Sequence, residues 1–183
     1  RKKGIVVANC GDGACGRGPV LESFNFASMD QITQLWDGGK GEGMPILFNV
    51  FNNHYGMGGQ TRGETMGYDM AARLGAGFNP TMMHAERVNG YDPLAVIDAV
   101  TRKKELLVNG KGPALLDVVT YRVSGHSPSD SSTYRTPEEI EAWKAADPIP
   151  AFKEKLIKGK IATESEIGAI DSSIIDRMTE VIK

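Results

Sequence analysis

The sequence predicts an α/β fold: a doubly wound, mainly parallel sheet with helices on both faces. Two observations lead there. Runs rich in Ile, Val and Leu recur at 4–9, 46–51 and 114–122, with a weaker one at 83–88 ahead of Asn89-Gly90, and each has the length of a buried strand. Helical patterns at 20–35, 65–74 and 93–109 fall between these runs. Strand and helix therefore alternate, as they do when parallel strands are joined by right-handed crossovers.

The first strand runs into Gly11-Asp-Gly-Ala-Cys-Gly16, a G-x-G-x-x-G at the entrance to a helix. In a dinucleotide fold such a loop lays backbone N–H groups and a helix N-terminus against a pyrophosphate. Asp12 would repel that ligand unless a cation stood between them. After the helix 20–35 comes Asp37-Gly-Gly-Lys-Gly-Glu-Gly43, read as a flexible surface insertion. The strand 46–51 then ends in Asn52-Asn53, where a dinucleotide fold would place an acidic residue for a ribose. The helix 93–109 is closed by Gly110, a C-terminal stop.

Beyond 123 the alternation ceases. Residues 124–135 form a long loop rich in Ser and Thr, of a length that is usually functional, and its small apolar content predicts mobility until a ligand orders it. Thr136-Pro-Glu-Glu139 and Thr163-Glu-Ser-Glu166 are capping boxes that open a helical tail. The division expected is an α/β domain for diphosphate and metal over 1–135, with a helical C-terminal extension, 136–183, packed on the same domain. Four strands are few for a sheet covered on both faces, so the chain is expected to be truncated or completed by another subunit.

Composition narrows the partners. Of 183 residues 40 % are apolar and 24 % charged, as is usual for a globular chain. A net charge of -2 with both signs interspersed supplies no field for nucleic acid or anionic lipid, and no apolar run reaches the roughly 18 residues of a membrane span. The expectation is a cytoplasmic protein with neither nucleic acid nor membrane as partner. Cys10 and Cys15 lack a C-x-x-C spacing and read as small buried thiols. His54, His84 and His126 are too scattered for a zinc site, and Trp36 and Trp143 read as packing residues.

The chemistry lies at the strand ends, where open α/β sheets bind ligands. A carboxylate after the first strand and a carboxamide oxygen after the second are hard oxygen ligands that suit Mg²⁺. Such a cation would also bridge Asp12 to a diphosphate held by the glycine loop. The residues alone leave two other readings open. One is a non-catalytic nucleotide-binding domain that uses the G-x-G-x-x-G loop, and the other is an interaction fragment without cofactor.

Gly11-Asp12-Gly13 followed by Asn52-Asn53 resembles the thiamine-diphosphate signature. The wider sequence is similar to the alpha subunit of the first, decarboxylating component of 2-oxo acid dehydrogenase complexes, the pyruvate and acetoin branches included. The likeness runs through Glu22, Asn25, His54-Tyr-Gly-Met57, Val88-Asn-Gly-Tyr-Asp-Pro93, Thr120-Tyr-Arg122, Gly125-His-Ser127 and Tyr134-Arg-Thr136. The stretch between its first two elements is longer than the family usually has, and the glycine-rich insertion before Pro45 accounts for the excess.

The resemblance implies thiamine diphosphate and Mg²⁺ as cofactors, with the metal on Asp12, the Asn53 side chain and the backbone carbonyl of Tyr55. Gly11, Gly13 and Ala14 would cradle the diphosphate, and His126 would be a catalytic residue at the mouth of the site, also near the diphosphate. Ser127 corresponds to a serine phosphorylated in mitochondrial relatives. The implied partners are a beta subunit in an α2β2 assembly and a lipoyl-bearing acyltransferase that receives the acyl group. The glutamate that activates the aminopyrimidine would come from the beta subunit, so the chain by itself would hold no complete catalytic set. The substrate would be a 2-oxo acid such as pyruvate, or acetoin.

Overall fold

A computed structural model describes residues 4–35 and 40–182; Trp36 and Asp37-Gly-Gly39, part of the predicted insertion, lie outside them. Four strands, β1 (Val6–Gly11), β2 (Ile46–Asn52), β3 (His84–Asn89) and β4 (Ala114–Val119), pair in the order β1-β2-β4-β3. All pairs are parallel, with Gly11 opposite Phe51 and Asn52 opposite Val119, so the ends of β1 and β2 lie side by side. Helices α1 (Gly18–Ala27), α3 (Ala72–Phe78) and α4 (Pro93–Val108) make the crossovers, with a single turn, α2 (Ile32–Leu35), after α1.

Two apolar layers flank the sheet, because successive strand residues point to opposite faces. Leu115, Phe48 and Val50 pack with Phe24 and Ala27 of α1 and with Leu74 and Phe78 around α3. Phe24 meets Phe48 edge-on at 4.8 Å. Ala114, Leu116, Val118 and Leu47 pack on the opposite side with Ala99 and Leu107 of α4. The chain reverses direction across the sheet only between β3 and β4, and α4 accordingly covers the second face. The doubly wound α/β expectation is met.

Element boundaries depart from the pattern for local reasons. The helix expected over 20–35 stops at Ala27 because the buried Ser28 hydroxyl donates to the Phe24 carbonyl at 2.7 Å, while Asn79 Nδ2 donates to the carbonyl of Ser28 itself. The helix expected over 65–74 begins only at Ala72, since Met66 is drawn into the core and Gly63 turns the chain at φ 85°. Within α3, a Cβ on Gly75 would stand 2.5 Å from the Ala85 methyl, so the bare glycine lets the helix lie against β3. Gly43 belongs to the predicted flexible insertion, yet its N–H bonds the Gly110 carbonyl and a Cβ there would overlap the Gly112 carbonyl oxygen. That end of the insertion is packed.

Below the strand ends sits a buried polar network. Asp117, wholly enclosed on β4, accepts Asn52 Nδ2 at 2.9 Å, Arg87 Nε at 3.0 Å and the Ala72 N–H at 3.3 Å. A buried charge persists only when paired and bonded in this way, and the arrangement fixes the end of β2.

The tail is helical, as the capping boxes predict: α5 (Pro137–Ala145), α6 (Pro148–Lys158) and α7 (Glu164–Ile182). Thr163 and Glu166 close a complete reciprocal box at the start of α7. The chain forms two compact units, Arg1–Trp143 and Lys144–Lys183, and Lys153 of α6 pairs with Asp171 of α7 inside the second. Among the described residues no helix is long and apolar enough to cross a membrane.

β3 and α4 are further joined by Glu86, which takes both terminal nitrogens of Arg102 at 2.6 and 2.8 Å and Lys103 Nζ at 3.0 Å. These cations, Arg102 above all, lower the Glu86 carboxyl to about 2 from its ordinary 4.5. A depressed carboxyl stabilises the fold fully above its unfolded value and loses that contribution as pH falls through the folded value. Glu86→Gln is therefore expected to cost about 1 kcal/mol at neutral pH. The gap to the unsubstituted protein should close as pH drops from 4.5 toward 2, measured by urea melts; a pH-independent gap would show that the ion pairs contribute nothing.

Candidate functional site

The site is built where β1 and β2 end. β1 passes into a single 3-10 turn, Asp12–Ala14, and α1 opens four residues later with Pro19 in its first turn. The Asp12 side chain is turned inward and is 1 % exposed. Its Oδ1 accepts the Gly13 N–H at 2.9 Å, and its Oδ2 accepts the His54 N–H at 2.8 Å and the Thr61 hydroxyl at 2.9 Å. One carboxylate thus fastens the first loop to the second, and the two lie so close that a Cβ on Gly13 would stand 3.5 Å from the Gly56 Cα.

The second loop is shaped to meet it. His54 adopts a left-handed backbone at φ 68°, a conformation non-glycine residues seldom take, and this aims its N–H at Asp12. The His54 carbonyl accepts Thr61 N–H, and Gly56 N–H donates to the Gly59 carbonyl, so 54–61 is a closed turn. Asn52 and Asn53 have different work. Asn52 is buried against Asp117, whereas Asn53 lies just past the strand with its Oδ1 accepting the Tyr55 N–H at 3.1 Å.

Tyr55 leads to the third segment. Its hydroxyl donates to Glu139 at 2.6 Å, and Tyr121 donates to the same oxygen at 3.1 Å. Both phenols are raised, by burial first and then by the neighbouring carboxylate, so both remain donors. Glu139 was expected to complete a capping box; only half forms, with its N–H on Thr136 Oγ1, because the carboxylate is taken up by the tyrosines. Arg135 is buried under the rings of Tyr55, Tyr121 and Tyr134, 5.3 to 5.6 Å from their centroids, a cation–π arrangement. Its guanidinium donates to the carbonyls of Arg122 and Ser124 and to Ser132 Oγ. Trp143 stacks on Tyr121 at 4.9 Å.

His126 lies on the loop so anchored, with an exposed side chain. Its N–H donates to Asp130, which also receives Tyr134 OH and Ser132 N–H. These donors, led by the His126 N–H, lower Asp130 to about 2. The loop is thus more fully bonded than its serine-rich composition predicts, since one carboxylate and one guanidinium collect the backbone groups of 122–135.

The donor set fits a hard cation. A carboxylate offers about four lone-pair sites, and among the described residues three donors point at Asp12. Burial raises the Asp12 carboxyl above its ordinary value despite the bonds from Thr61, Gly13 and His54, and a cation would relieve that cost. Among the described residues no three His, Cys, Asp or Glu side chains converge, so a metal here would rest on one carboxylate with neutral oxygens. Asn53 directly precedes His54, whose N–H is bound to Asp12 Oδ2. Thr61 escaped the sequence reading: a lone threonine between glycines carries no periodic or motif signal.

The sequence model of the dehydrogenase E1 component family matches residues 1–183. The chain belongs to that family. It is 37 % identical over its whole length to the pyruvate dehydrogenase E1 component subunit alpha type I, mitochondrial, of Ascaris suum, of which it spans 42 %. It is 38 % identical over 99 % of its length to the mitochondrial subunit alpha of Chaetomium thermophilum, spanning 40 % of it. A third relative, the subunit alpha of Rickettsia bellii, is 31 % identical over 94 % of this chain and 48 % of its own. The chain therefore spans less than half the length of the relatives it matches, and the resemblance to the alpha subunit holds at the level of the family. The cytoplasmic expectation is corrected: the Ascaris and Chaetomium relatives are named as mitochondrial, while the Rickettsia relative's name gives no compartment. Charge and hydropathy of a folded domain do not distinguish these addresses, which are carried in targeting segments.

The cluster around Glu139 makes a prediction. Glu139→Ala removes one acceptor from two buried phenols and should cost about 1–3 kcal/mol. Backbone exchange over 122–135 should rise with it, read by thermal melting and hydrogen exchange. Unchanged exchange would show that the loop is held without the tyrosines.

Proposed function

We propose that this chain is the diphosphate- and metal-binding part of the alpha subunit of a thiamine-diphosphate-dependent 2-oxo acid dehydrogenase. The observation that carries the reading is the Asp12 carboxylate, buried between the two strand-end loops with His54 N–H and Thr61 Oγ1 on one oxygen. In this reading Mg²⁺ is held by Asp12, by Asn53 Oδ1 and by the Tyr55 carbonyl. Gly11, Gly13 and Ala14 line the diphosphate ahead of α1, the Ala14 N–H turned to the anion and the Gly13 N–H holding Asp12 Oδ1.

When bound, thiamine diphosphate supplies the carbanion chemistry that lets a bond next to a carbonyl be cleaved. The chain's own residues do the rest. Asp12 holds the cation and neutralises it in part, so the anion can approach a loop that carries a carboxylate. Thr61 and the His54 N–H keep that carboxylate from rotating, in the manner of outer groups that orient a ligand. Tyr55, locked through Glu139, fixes its own carbonyl. His126 stands at the mouth, where an imidazole can anchor an anionic oxygen or move a proton.

The substrate in this proposal is a 2-oxo acid, pyruvate first, since the relatives are named for it; acetoin is the neighbouring possibility that the same fragment serves. The product acyl group passes to a lipoyl group on an acyltransferase, and a beta subunit completes the site in an α2β2 assembly. A nucleotide reading of the glycines is disfavoured by the end of β2, where Asn52 and Asn53 stand in place of a ribose-binding acid.

Calorimetry tests the proposal. Thiamine diphosphate should bind only with Mg²⁺, and Asp12→Asn should abolish that binding with far-UV circular dichroism unchanged. Thr61→Val should weaken it by about 10–100-fold. Equal affinity with and without Mg²⁺, or in Asp12→Asn, would refute the metal bridge.

A further inference from the structure

Two thiols bracket the turn that carries Asp12. Cys10 is the penultimate residue of β1 and Cys15 follows the 3-10 turn, and they are the chain's two cysteines. Their Sγ atoms are 3.9 Å apart. A disulfide needs about 2.05 Å, so each sulfur has to move by only about 0.9 Å to reach bonding distance. Cys15 is fully enclosed with Phe24 and Met66, and Cys10 is half-buried at the end of an edge strand. One sulfur is therefore within reach of a small oxidant while the other waits behind it, out of reach of competing thiols.

We propose that Cys10 and Cys15 form a reversible disulfide in response to peroxide, and that the ring it closes around 11–14 lowers the affinity of the loop for its metal and diphosphate. The proposal rests on the cofactor reading above for its second half only. In the first step the Cys10 sulfur attacks one oxygen of hydrogen peroxide. The O–O bond breaks, Cys10 becomes a sulfenic acid, and the thiol proton leaves with the second oxygen as water. In the second step the Cys15 sulfur attacks the Cys10 sulfur, the S–O bond breaks, and hydroxide departs with the Cys15 proton as a second water. The two electrons lost by the thiols reduce the peroxide, and a dithiol returns them when it opens the disulfide.

The consequence follows from what the turn is fastened to. The Cys15 N–H donates to the Asp12 carbonyl at 2.9 Å and the Cys15 thiol lies 3.7 Å from the Gly11 carbonyl. Drawing Cys15 toward β1 pulls on both contacts, while Asp12 stays fastened to His54 and Thr61. The turn must yield, and Gly13 and Ala14 shift relative to the metal-binding carboxylate.

Peptide mass spectrometry decides the first half. The purified protein carrying this chain is fully reduced, exposed to hydrogen peroxide, alkylated and digested with trypsin; cleavage after Lys3 and Arg17 leaves both cysteines on one peptide. The expected peptide has lost two hydrogens, takes no alkyl group, and regains two alkyl groups after dithiothreitol. Cys10→Ser and Cys15→Ser should each abolish it. Sulfinic or sulfonic acid at Cys10 beside an alkylated Cys15, or linkage between two chains, would overturn the pairing. Hydrogen exchange over 12–16 should accelerate on oxidation, and Mg²⁺-dependent affinity for thiamine diphosphate should fall by about tenfold or more, with neither effect in Cys10→Ser. A linked pair with unchanged exchange and affinity would overturn the control of the loop. Mass and exchange need no cofactor, so a reduced protein that fails to bind thiamine diphosphate would count against the cofactor reading alone.

Discussion

A buried carboxylate must be satisfied on every side, and at Asp12 that requirement organises the rest of the molecule. Its partners come from both strand ends: the Gly13 N–H from its own turn, the His54 N–H and the Thr61 hydroxyl from the neighbouring loop. The carboxylate joins the two loops to each other, and both depend on β1 and β2 ending side by side in register. The left-handed backbone of His54 is the local cost of bringing its N–H to bear, a form of strain found where a site is preorganised.

Two further clusters support this junction from opposite directions. Inside the sheet, Asp117 gathers Asn52, Arg87 and the start of α3, so the last residue of β2 is held before the chain turns outward at Asn53. On the other side, Glu139 joins Tyr55 to Tyr121, and Arg135 joins those rings to the carbonyls of the His126 loop. Adjacent asparagines thereby have unequal roles. Asn52 is spent on Asp117 and Tyr55 and Tyr121 on Glu139, whereas among the described residues the Asn53 side chain bonds only the nearby Tyr55 N–H and the His126 residue stays exposed.

The strands and their parallel direction were legible in the sequence because each is a short apolar run between turn residues, and alternation with helices fixes direction; their order β1-β2-β4-β3 was not. The carboxylate and the carboxamide were legible too, since an aspartate inside a glycine loop and a paired asparagine at the next strand end are unusual enough to demand a reason. What was not legible depends on contacts distant in sequence. The break after Ala27 needs Asn79 to receive it, and Thr61 becomes informative only when it meets Asp12. Glu139 looked like a capping residue because the local pattern was complete, but its carboxylate is claimed by Tyr55, far upstream in the chain. The loop at 124–135 looked unsupported because its anchors, Asp130 and Arg135, each act on several backbone groups at once.

The central claim is that the junction built on Asp12 is a cation site and not merely a fastening between loops. Manganese can stand in for Mg²⁺ on oxygen ligands and can be located by anomalous scattering. Crystals of the protein grown with Mn²⁺ and thiamine diphosphate should show one anomalous peak at about 2.0–2.2 Å from an Asp12 carboxylate oxygen, Asn53 Oδ1 and the Tyr55 carbonyl. A peak away from these three oxygens, or none at Asp12 with diphosphate bound, would contradict the account.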